Sequence, residues 1–152
     1  MKQLKEGDAA PLFKGQDQNE ALVKLSDFIG KKLVLFFYPK DMTPGCTSEA
    51  CNLRDNYKEL LDEGYSILGV SPDSPKLHKR FIEKNSLPFP LIADEEKIIL
   101  QQYDVWGEKK MYGRSYLGVL RTTFIIDEKG IVSKIIDKVK TRDHSSQILS
   151  QN

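Results

Sequence analysis

An unbroken apolar run, Leu33–Tyr38 (LVLFFY), is the feature that most constrains the fold of this chain. The run is too short for a typical helix, and it lacks the apolar and polar alternation of a strand with one solvated face. Such a run is typical of a strand buried on both faces of a sheet, which requires covering elements above and below it. A loop rich in turn-forming residues follows, and a helical pattern then extends from Thr43 to Glu63 and stops at Gly64, a residue suited to end a helix.

Strand and helix patterns alternate along the rest of the chain. Strands are predicted at Tyr65–Ser71, Leu91–Ala93, Arg121–Ile126 and Ile131–Asp137, with short ones around Leu12 and Leu22–Leu25. Helices are predicted at Ser74–Lys84, near Glu95–Tyr103 and from Asp143 onward. The last two strands are joined by a short connection with a glycine, which predicts a hairpin. This order predicts an α/β fold with a mixed central sheet and helices on both faces, for which a thioredoxin-like architecture is the simplest fit. Since no linker or repeat interrupts the pattern, residues 1–152 are predicted to form one domain.

Charge and hydropathy exclude several classes of function. Lysine plus arginine number 23 against 22 acidic residues, a balance that argues against a nucleic-acid surface or a polybasic membrane anchor. No apolar run approaches the roughly 18 to 20 residues that a membrane span requires. The N-terminal residues contain no apolar segment typical of a secretory signal, so a cytoplasmic location is expected. Thiols are normally kept reduced there.

The two cysteines lie on different faces of the predicted helix 43–63. On a wheel of about 100° per residue, Cys46 shares the apolar stripe, whereas Cys51 falls on the polar face. The members of that stripe are Ala50, Leu53, Tyr57, Leu60 and Leu61. A buried cysteine is often only a small apolar side chain. An exposed free thiol has no packing benefit, so the pair together favours redox chemistry over an inert role.

The geometry of a helix predicts a conformational step if the two cysteines ever join. Cα atoms five residues apart in a helix are roughly 8–9 Å apart. A disulfide requires less than about 7 Å. We therefore expect the segment Cys46–Asn56 to lose or change helical structure on oxidation.

The position of Cys46 favours an activated thiol. It lies in the first turn of the predicted helix, where free backbone N–H groups and the positive end of the helix dipole stabilise a thiolate. Pro44 and Gly45 keep this turn open, and Thr43 is the expected N-cap, with a hydroxyl that is also available to the sulfur or to a substrate oxygen.

One long segment of the chain resembles a known protein family. The segment Phe37–Asp55 (FYPKDMTPGCTSEACNLRD) closely resembles the active-site segment of peroxiredoxins. The second cysteine five residues after the first, together with Arg54-Asp55, resembles the bacterioferritin comigratory protein (Q-type) subfamily. Further matching segments keep the expected order along nearly the whole chain: Gly7–Pro11, Val105–Lys109 and Arg121–Asp127.

The resemblance implies a thioredoxin-fold thiol peroxidase that reduces hydrogen peroxide and organic hydroperoxides. It implies that Cys46 is the peroxidatic cysteine and Cys51 the resolving one. Pro39 would shield the pocket, Thr43 would hydrogen-bond substrate and thiolate, and Arg121 would be the active-site arginine. Glu49 is assigned only a supporting role. Thioredoxin or a similar dithiol would be the reductant, the chain is expected to be a monomer, and no metal, flavin or nucleotide is needed.

Two other classes of function compete with the enzyme. One is a redox sensor that uses the two cysteines as a switch without turnover. The other is a general disulfide oxidoreductase, which the spacing disfavours because such enzymes usually present Cys-x-x-Cys.

Several other polar and aromatic residues are given no role in the chemistry. His78 and His144 have no partner at ligand spacing, and both are expected at the surface. Trp106 and Tyr112 are expected to pack against their own domain. The basic cluster Lys109–Arg114 is left without a role.

Overall fold

The computed structural model of the chain describes residues 4–150, which are built around a seven-stranded mixed sheet. Its strands are β1 (Lys14–Gln16), β2 (Leu22–Lys24), β3 (Lys32–Phe37), β4 (Tyr65–Ser71), β5 (Leu91–Ala93), β8 (Thr122–Ile126) and β9 (Val132–Ile136). Their order across the sheet is β2-β1-β5-β4-β3-β8-β9. The three central strands β3, β4 and β5 are parallel, while β8, β9, β1 and β2 pair antiparallel. Residues 1–3 and 151–152 of the predicted domain lie outside the described range.

Helices cover both faces of this sheet, as predicted for a thioredoxin-like α/β fold. They are α1 (Pro44–Asp55), α2 (Tyr57–Asp62), α3 (Pro75–Asn85), α4 (Ile98–Gln102) and α5 (His144–Leu149), with a 3-10 helix at Leu25–Phe28. The apolar side chains of α1, α2, α3 and α5 pack on one face. The 3-10 helix and α4 pack on the other face.

The central strand β3 explains why its sequence is apolar without interruption. Leu33, Leu35 and Phe37 belong to the core on one face of the sheet. Val34 and Phe36 belong to the core on the opposite face. Both layers of the molecule therefore depend on this one strand, because parallel central strands have no solvated face.

The helix predicted from Thr43 to Glu63 is divided into α1 and α2 at Asn56. That residue has φ −111° and ψ 18°, and its side-chain Nδ2 donates to the Asn52 carbonyl at 2.9 Å. Asparagine side chains compete in this way for backbone acceptors and disturb a helix. Leu61 is consequently 46% exposed and leaves the apolar stripe. The predicted end at Gly64 is confirmed, since its φ of +88° is a left-handed value that favours glycine.

Two other boundaries differ from the prediction. No strand forms around Leu12, which is 76% exposed, and β1 begins two residues later. The fourth helix is shorter than Glu95–Tyr103, because Lys97 has φ +61° and α4 starts only after it. The Asp94 carboxylate holds this late start by accepting the backbone N–H groups of Ile99 and Leu100 at 3.2 and 2.8 Å.

An antiparallel hairpin outside the main sheet was not predicted. It consists of β6 (Trp106–Met111) and β7 (Arg114–Val119), and the basic cluster Lys109–Arg114 lies on it. The two-residue turn Tyr112-Gly113 has φ values of 53° and 76°, both left-handed. Trp106 packs against the core as expected, whereas Tyr112 is 97% exposed, so the prediction for Tyr112 is wrong.

No helix within residues 4–150 is long and apolar enough to cross a lipid bilayer.

Candidate active site

Cys46 lies in the first turn of α1, directly after the loop that leaves β3. Thr43 is the N-cap residue with extended backbone, and Pro44 is the first helical residue. The N–H groups of Gly45 and Cys46 therefore have no acceptor within the helix. Cys46 is only 2% exposed, which confirms its predicted place on the buried stripe. Free N–H groups and the helix dipole together favour a negative charge on this sulfur.

Arg121 is brought to Cys46 by the pairing of two strands. Because β8 runs antiparallel to β3 with Thr122 opposite Phe37, Arg121 emerges beside the loop that follows β3. Its Nη2 donates to Cys46 Sγ at 3.3 Å across 75 residues of sequence. Gly45 leaves room for this approach, since a Cβ there would lie 3.3 Å from Arg121 Nη2. The guanidinium is placed to stabilise negative charge on the sulfur.

Glu49 lies behind the arginine, one turn along α1 from Cys46. Arg121 Nη1 donates to Glu49 Oε1 at 2.6 Å, and the carboxyl is fully buried. Burial raises the pKa of Glu49 from 4.5 to about 7, although Arg121 opposes the shift. Burial also lowers the pKa of Arg121, but the negative charges of Glu49 and Cys46 outweigh that effect and raise it. Arg121 thus contacts two acidic groups at once, the Glu49 carboxyl and the Cys46 thiol.

His144 belongs to the same buried group, so the prediction of a surface position is wrong. Its side chain is completely buried, and its Nε2 lies 2.7 Å from Thr123 Oγ1 and 3.5 Å from Glu49 Oε2. Burial lowers the pKa of this histidine. The sequence does indicate this burial, because the buried Ile148 lies four positions after His144 and therefore shares its helix face.

Thr43 and Pro39 belong to the loop that connects β3 to α1 and leads to Cys46. The Thr43 hydroxyl makes no N-cap bond and instead donates to the Lys40 carbonyl at 2.7 Å. Its oxygen therefore keeps lone pairs for a donor that approaches Cys46. Pro39 is half-buried at the start of this loop.

A buried polar cluster holds that loop against α3. Asp41 accepts from the Tyr38 hydroxyl at 2.6 Å and lies 2.7 Å from His78 Nδ1. His78 Nε2 lies 2.8 Å from the Ile92 carbonyl, so both ring nitrogens face acceptors. Burial, followed by the charge of Asp41, raises the pKa of Tyr38 well above its usual value, which keeps its hydroxyl a donor.

The surface position predicted for His78 is therefore wrong as well. The residue is completely buried, and Phe81, three positions later, marks the same inward face of α3. Asp41, Asp73 and His78 present ligand atoms within 4.8 Å of one another. Asp73 Oδ2 already accepts from the Asp41 backbone N–H and the Ser71 hydroxyl, both at 2.7 Å. The polar atoms of this cluster satisfy each other, so it acts as a structural clamp.

Cys51 lies on the side of α1 that faces α3. Both cysteines are free, and Cys51 is half-buried with its thiol 3.6 Å from Asn85 Oδ1. The main chain of Asn85 accepts a second bond from α1, because Arg54 Nη1 donates to its carbonyl at 2.7 Å. The polar face predicted for Cys51 is thus covered in part by the end of α3.

A thioredoxin-like fold with a helix N-terminal cysteine, an arginine on its sulfur and a second free cysteine defines a thiol-dependent redox protein. The comparisons with known proteins agree with this class. The AhpC/TSA family model matches residues 6–135. The putative peroxiredoxin bcp of Haemophilus influenzae is 47% identical over 149 residues, covering 98% of this chain and 96% of that protein. The peroxiredoxin Bcp of Bacillus subtilis is 46% identical, with coverages of 94% and 91%.

A solved structure gives the same result. The bacterioferritin comigratory protein of Xanthomonas campestris, studied for its alkyl peroxide reduction activity, matches with a TM-score of 0.85 at 36% identity, covering 91% of this chain and 88% of that one. The chain therefore belongs to the AhpC/TSA family and, within it, to the peroxiredoxins of the Bcp or Q type. The resemblance carried by Phe37–Asp55 is confirmed.

Proposed function

We propose that this chain is a thiol peroxidase that reduces hydrogen peroxide and organic hydroperoxides with Cys46 as the peroxidatic cysteine. The observation that carries the proposal is the 3.3 Å contact between Arg121 Nη2 and Cys46 Sγ at the N-terminus of a helix. The substrate class is supported by the Xanthomonas campestris relative, whose described activity is alkyl peroxide reduction. The near-complete burial of Cys46 suits a small terminal hydroperoxide group better than a protein substrate.

In the first step the Cys46 thiolate attacks the terminal oxygen of the peroxide. An S–O bond forms and the O–O bond breaks, so that Cys46 becomes a sulfenic acid. The leaving oxygen departs as an alkoxide or hydroxide and takes a proton from water. Arg121 stabilises the thiolate and the charge on the oxygens in this step, because its cation and donor fork face the sulfur.

Thr43 and Pro39 position the peroxide in this proposal. The Thr43 hydroxyl accepts from the peroxide O–H with the lone pairs that its own bond to Lys40 leaves available. Pro39 excludes water from one side of the sulfur without adding a competing donor, since proline has no N–H.

In the second step Cys51 acts as the resolving cysteine. Its sulfur attacks the sulfenic sulfur of Cys46, a disulfide forms and water leaves. Both cysteines belong to the continuous helix α1, in which Cα atoms five apart are about 8–9 Å from each other. The segment Cys46–Asn56 must therefore unwind before the bond can form.

Return of the two cysteines to their reduced form requires an external dithiol. Thioredoxin or a similar protein reduces the disulfide by thiol–disulfide exchange and is itself oxidised to a disulfide. Because both cysteines belong to one chain, the protein is an atypical two-cysteine peroxiredoxin. We propose further that residues 1–152 function as one domain, as a monomer, and in the cytoplasm. No metal, flavin or nucleotide takes part in these steps.

The test is peroxide consumption coupled to NADPH through thioredoxin and its reductase, for the wild type, Cys46→Ser and Cys51→Ser. We expect sustained turnover in the wild type and none in Cys46→Ser. Full turnover in Cys51→Ser would overturn the resolving role of Cys51. A wild type that loses its thiols to peroxide but does not turn over would favour a redox sensor, or a different reductant.

Amide hydrogen exchange tests the unwinding step separately. We expect lower protection in Cys46–Asn56 in the disulfide form than in the reduced form. This change would also break the bonds that Asn52 makes to Arg142 and Ser145 near α5. Equal protection in the two forms would contradict the step.

A further inference from the structure

The side-chain amide of Gln147 has a defined orientation. Its Nε2 donates to the Lys138 carbonyl, and its Oε1 accepts from the Lys140 backbone N–H, both at 2.9 Å. A carbonyl accepts only and a backbone N–H donates only, so exchanging the oxygen and nitrogen of this side chain would break both bonds. The oxygen of Gln147 is thereby held toward His144.

This oxygen determines the tautomer of His144. Gln147 Oε1 lies 2.8 Å from His144 Nδ1, so Nδ1 carries the ring proton. Burial opposes a second proton on this ring. Nε2 is then an acceptor, and the Thr123 hydroxyl at 2.7 Å donates to it.

An unpartnered oxygen of Glu49 lies next to this acceptor. Oε1 accepts from Arg121, but within residues 4–150 Oε2 has no hydrogen-bond partner although it is fully buried. The nitrogen 3.5 Å from it carries no proton in the tautomer deduced above. A buried ionised oxygen without any donor is costly, whereas a neutral carboxyl avoids that penalty.

We propose that His144 is a positioning residue which, held in its Nδ1–H form by Gln147, denies a proton donor to Glu49 Oε2 and so keeps that carboxyl neutral. The raised pKa of Glu49, about 7, agrees with this geometry. The charged or titratable groups that contact or adjoin Glu49 are Arg121 beside β8, His144 on α5 and Cys46 on its own helix.

The consequence for the reaction rests on the proposed function. A neutral Glu49 still accepts the bond from Arg121 Nη1, which orients the guanidinium, but it does not compete for the positive charge. That charge is then directed to the Cys46 thiolate and to the peroxide oxygens. When Glu49 ionises, a second anion shares the cation and the attack on peroxide slows.

The first experiment reads the tautomer directly and does not depend on peroxide turnover. The chain has two histidines, so nitrogen-15 NMR of the reduced protein at neutral pH shows two rings, and the His144→Gln variant identifies the relevant one. We expect a protonated Nδ1 and an unprotonated Nε2 for His144. A proton on Nε2 would overturn the proposal, even if the protein is an active peroxidase.

The second experiment measures the rate constant of Cys46 oxidation by hydrogen peroxide against pH, by quench-flow with mass spectrometry. In the wild type we expect a fall of roughly tenfold above about pH 7, equivalent to about 1.36 kcal/mol of transition-state stabilisation. Glu49→Gln should lack this fall, since its side chain cannot ionise. Persistence of the fall in Glu49→Gln would overturn the proposal.

A matched pair of variants tests the role of His144. Gln147→Glu places a carboxylate on Nδ1, which favours the doubly protonated ring and turns Nε2 into a donor for Glu49 Oε2. The fall in the rate constant of Cys46 oxidation should then occur at lower pH. Ser146→Glu adds the same charge to the same helix at an exposed position away from Nδ1, and it should leave the fall in place. Identical profiles for the two variants, with thermal unfolding confirming that both are folded, would contradict the proposal.

Discussion

His78→Leu is the substitution that most directly tests how the active-site loop is held. The His78 and Asp41 side chains are 0% and 2% exposed, and 2.7 Å separates Nδ1 from Oδ2. The leucine would fill much of the same space, but it would leave Asp41 Oδ2 without its contact to His78, while Oδ1 keeps the bond from the Tyr38 hydroxyl. The Ile92 carbonyl, now 2.8 Å from His78 Nε2, would lose a donor as well.

The expected cost is large because the pair is buried. His78→Leu leaves two buried acceptors without a donor, Asp41 Oδ2 and the Ile92 carbonyl, which costs about 3–5 kcal/mol at about 1–3 kcal/mol for each acceptor and more where the acceptor carries a charge. This is a large part of the roughly 5–15 kcal/mol by which a domain of this size is stable. Asp41→Asn added to His78→Leu removes that charge, so the double variant should recover about 2 kcal/mol.

Urea unfolding followed by far-UV circular dichroism measures these free energies. Lys79→Leu is the matched control, because it introduces the same residue at the neighbouring, exposed position of α3 and should change stability by less than about 0.5 kcal/mol. The rate of Cys46 oxidation should fall in His78→Leu, since Asp41 lies between Pro39 and Thr43. A loss of stability below about 1 kcal/mol, or purely additive effects in the double variant, would show that the buried contact between His78 and Asp41 does not hold the loop.

Three further predictions follow from the packing of α1 and of the sheet. Asn85→Ala removes the acceptor of the Cys51 thiol, so α1 should unwind more easily. Under excess peroxide, the ratio of disulfide to sulfinic acid measured by mass spectrometry should rise roughly two- to fivefold. An unchanged ratio would count against a role for this contact. The pKa of Glu49 is raised from 4.5 to about 7, so its contribution to the free energy of unfolding is complete below about pH 4.5. That contribution falls by roughly 3 kcal/mol as the pH rises through 7. Glu49→Gln should abolish this decline, which urea unfolding at pH 5 and pH 8 measures. An equal decline in the wild type and the variant would contradict the raised pKa of Glu49. Gly69→Ala should cost about 1–3 kcal/mol, because its Cβ would lie 2.6 Å from a leucine and 2.7 Å from a phenylalanine side chain of the core. Gly107→Ala, whose nearest contact is 3.3 Å away, is the milder control, and equal losses would show that packing is not the cause.

Local patterns predicted the elements that are regular and strongly apolar. Tyr65–Ser71 and Leu91–Ala93 form strands with the predicted bounds, because their side chains are buried in the core. Ser74 caps α3 by accepting from the Leu77 N–H at 3.2 Å, which confirms the predicted helix start. Elements of this kind are encoded by neighbouring residues, so a single sequence is sufficient to find them.

The hairpin β6–β7 and the hydrogen-bond partners of the two histidines could not be predicted in the same way. The hairpin is largely exposed and carries no clear alternation, and its turn uses Tyr112-Gly113 instead of the favoured Asn-Gly or Asp-Gly. The spacing of Phe81 and Ile148 indicates a buried helix face for His78 and His144, but it does not identify their hydrogen-bond partners, which are distant in the sequence. The acceptors of His78 lie on a loop and on β5, while the hydrogen-bond partners of His144 are Thr123 on β8 and Gln147 on α5.

The sequence by itself determined that Cys46 lies in the first turn of a helix that follows a strand buried on both faces, because the spacing of apolar residues and the start of a helix are properties of neighbouring residues. It also carried the motif by which the family is recognised. Only the tertiary structure decided what surrounds the sulfur. The antiparallel register of β3 and β8 brings Arg121 to Cys46 across 75 residues, and the docking of α5 places His144 beside Glu49. Such contacts depend on which strands pair and how helices pack, and no local pattern in the chain specifies that.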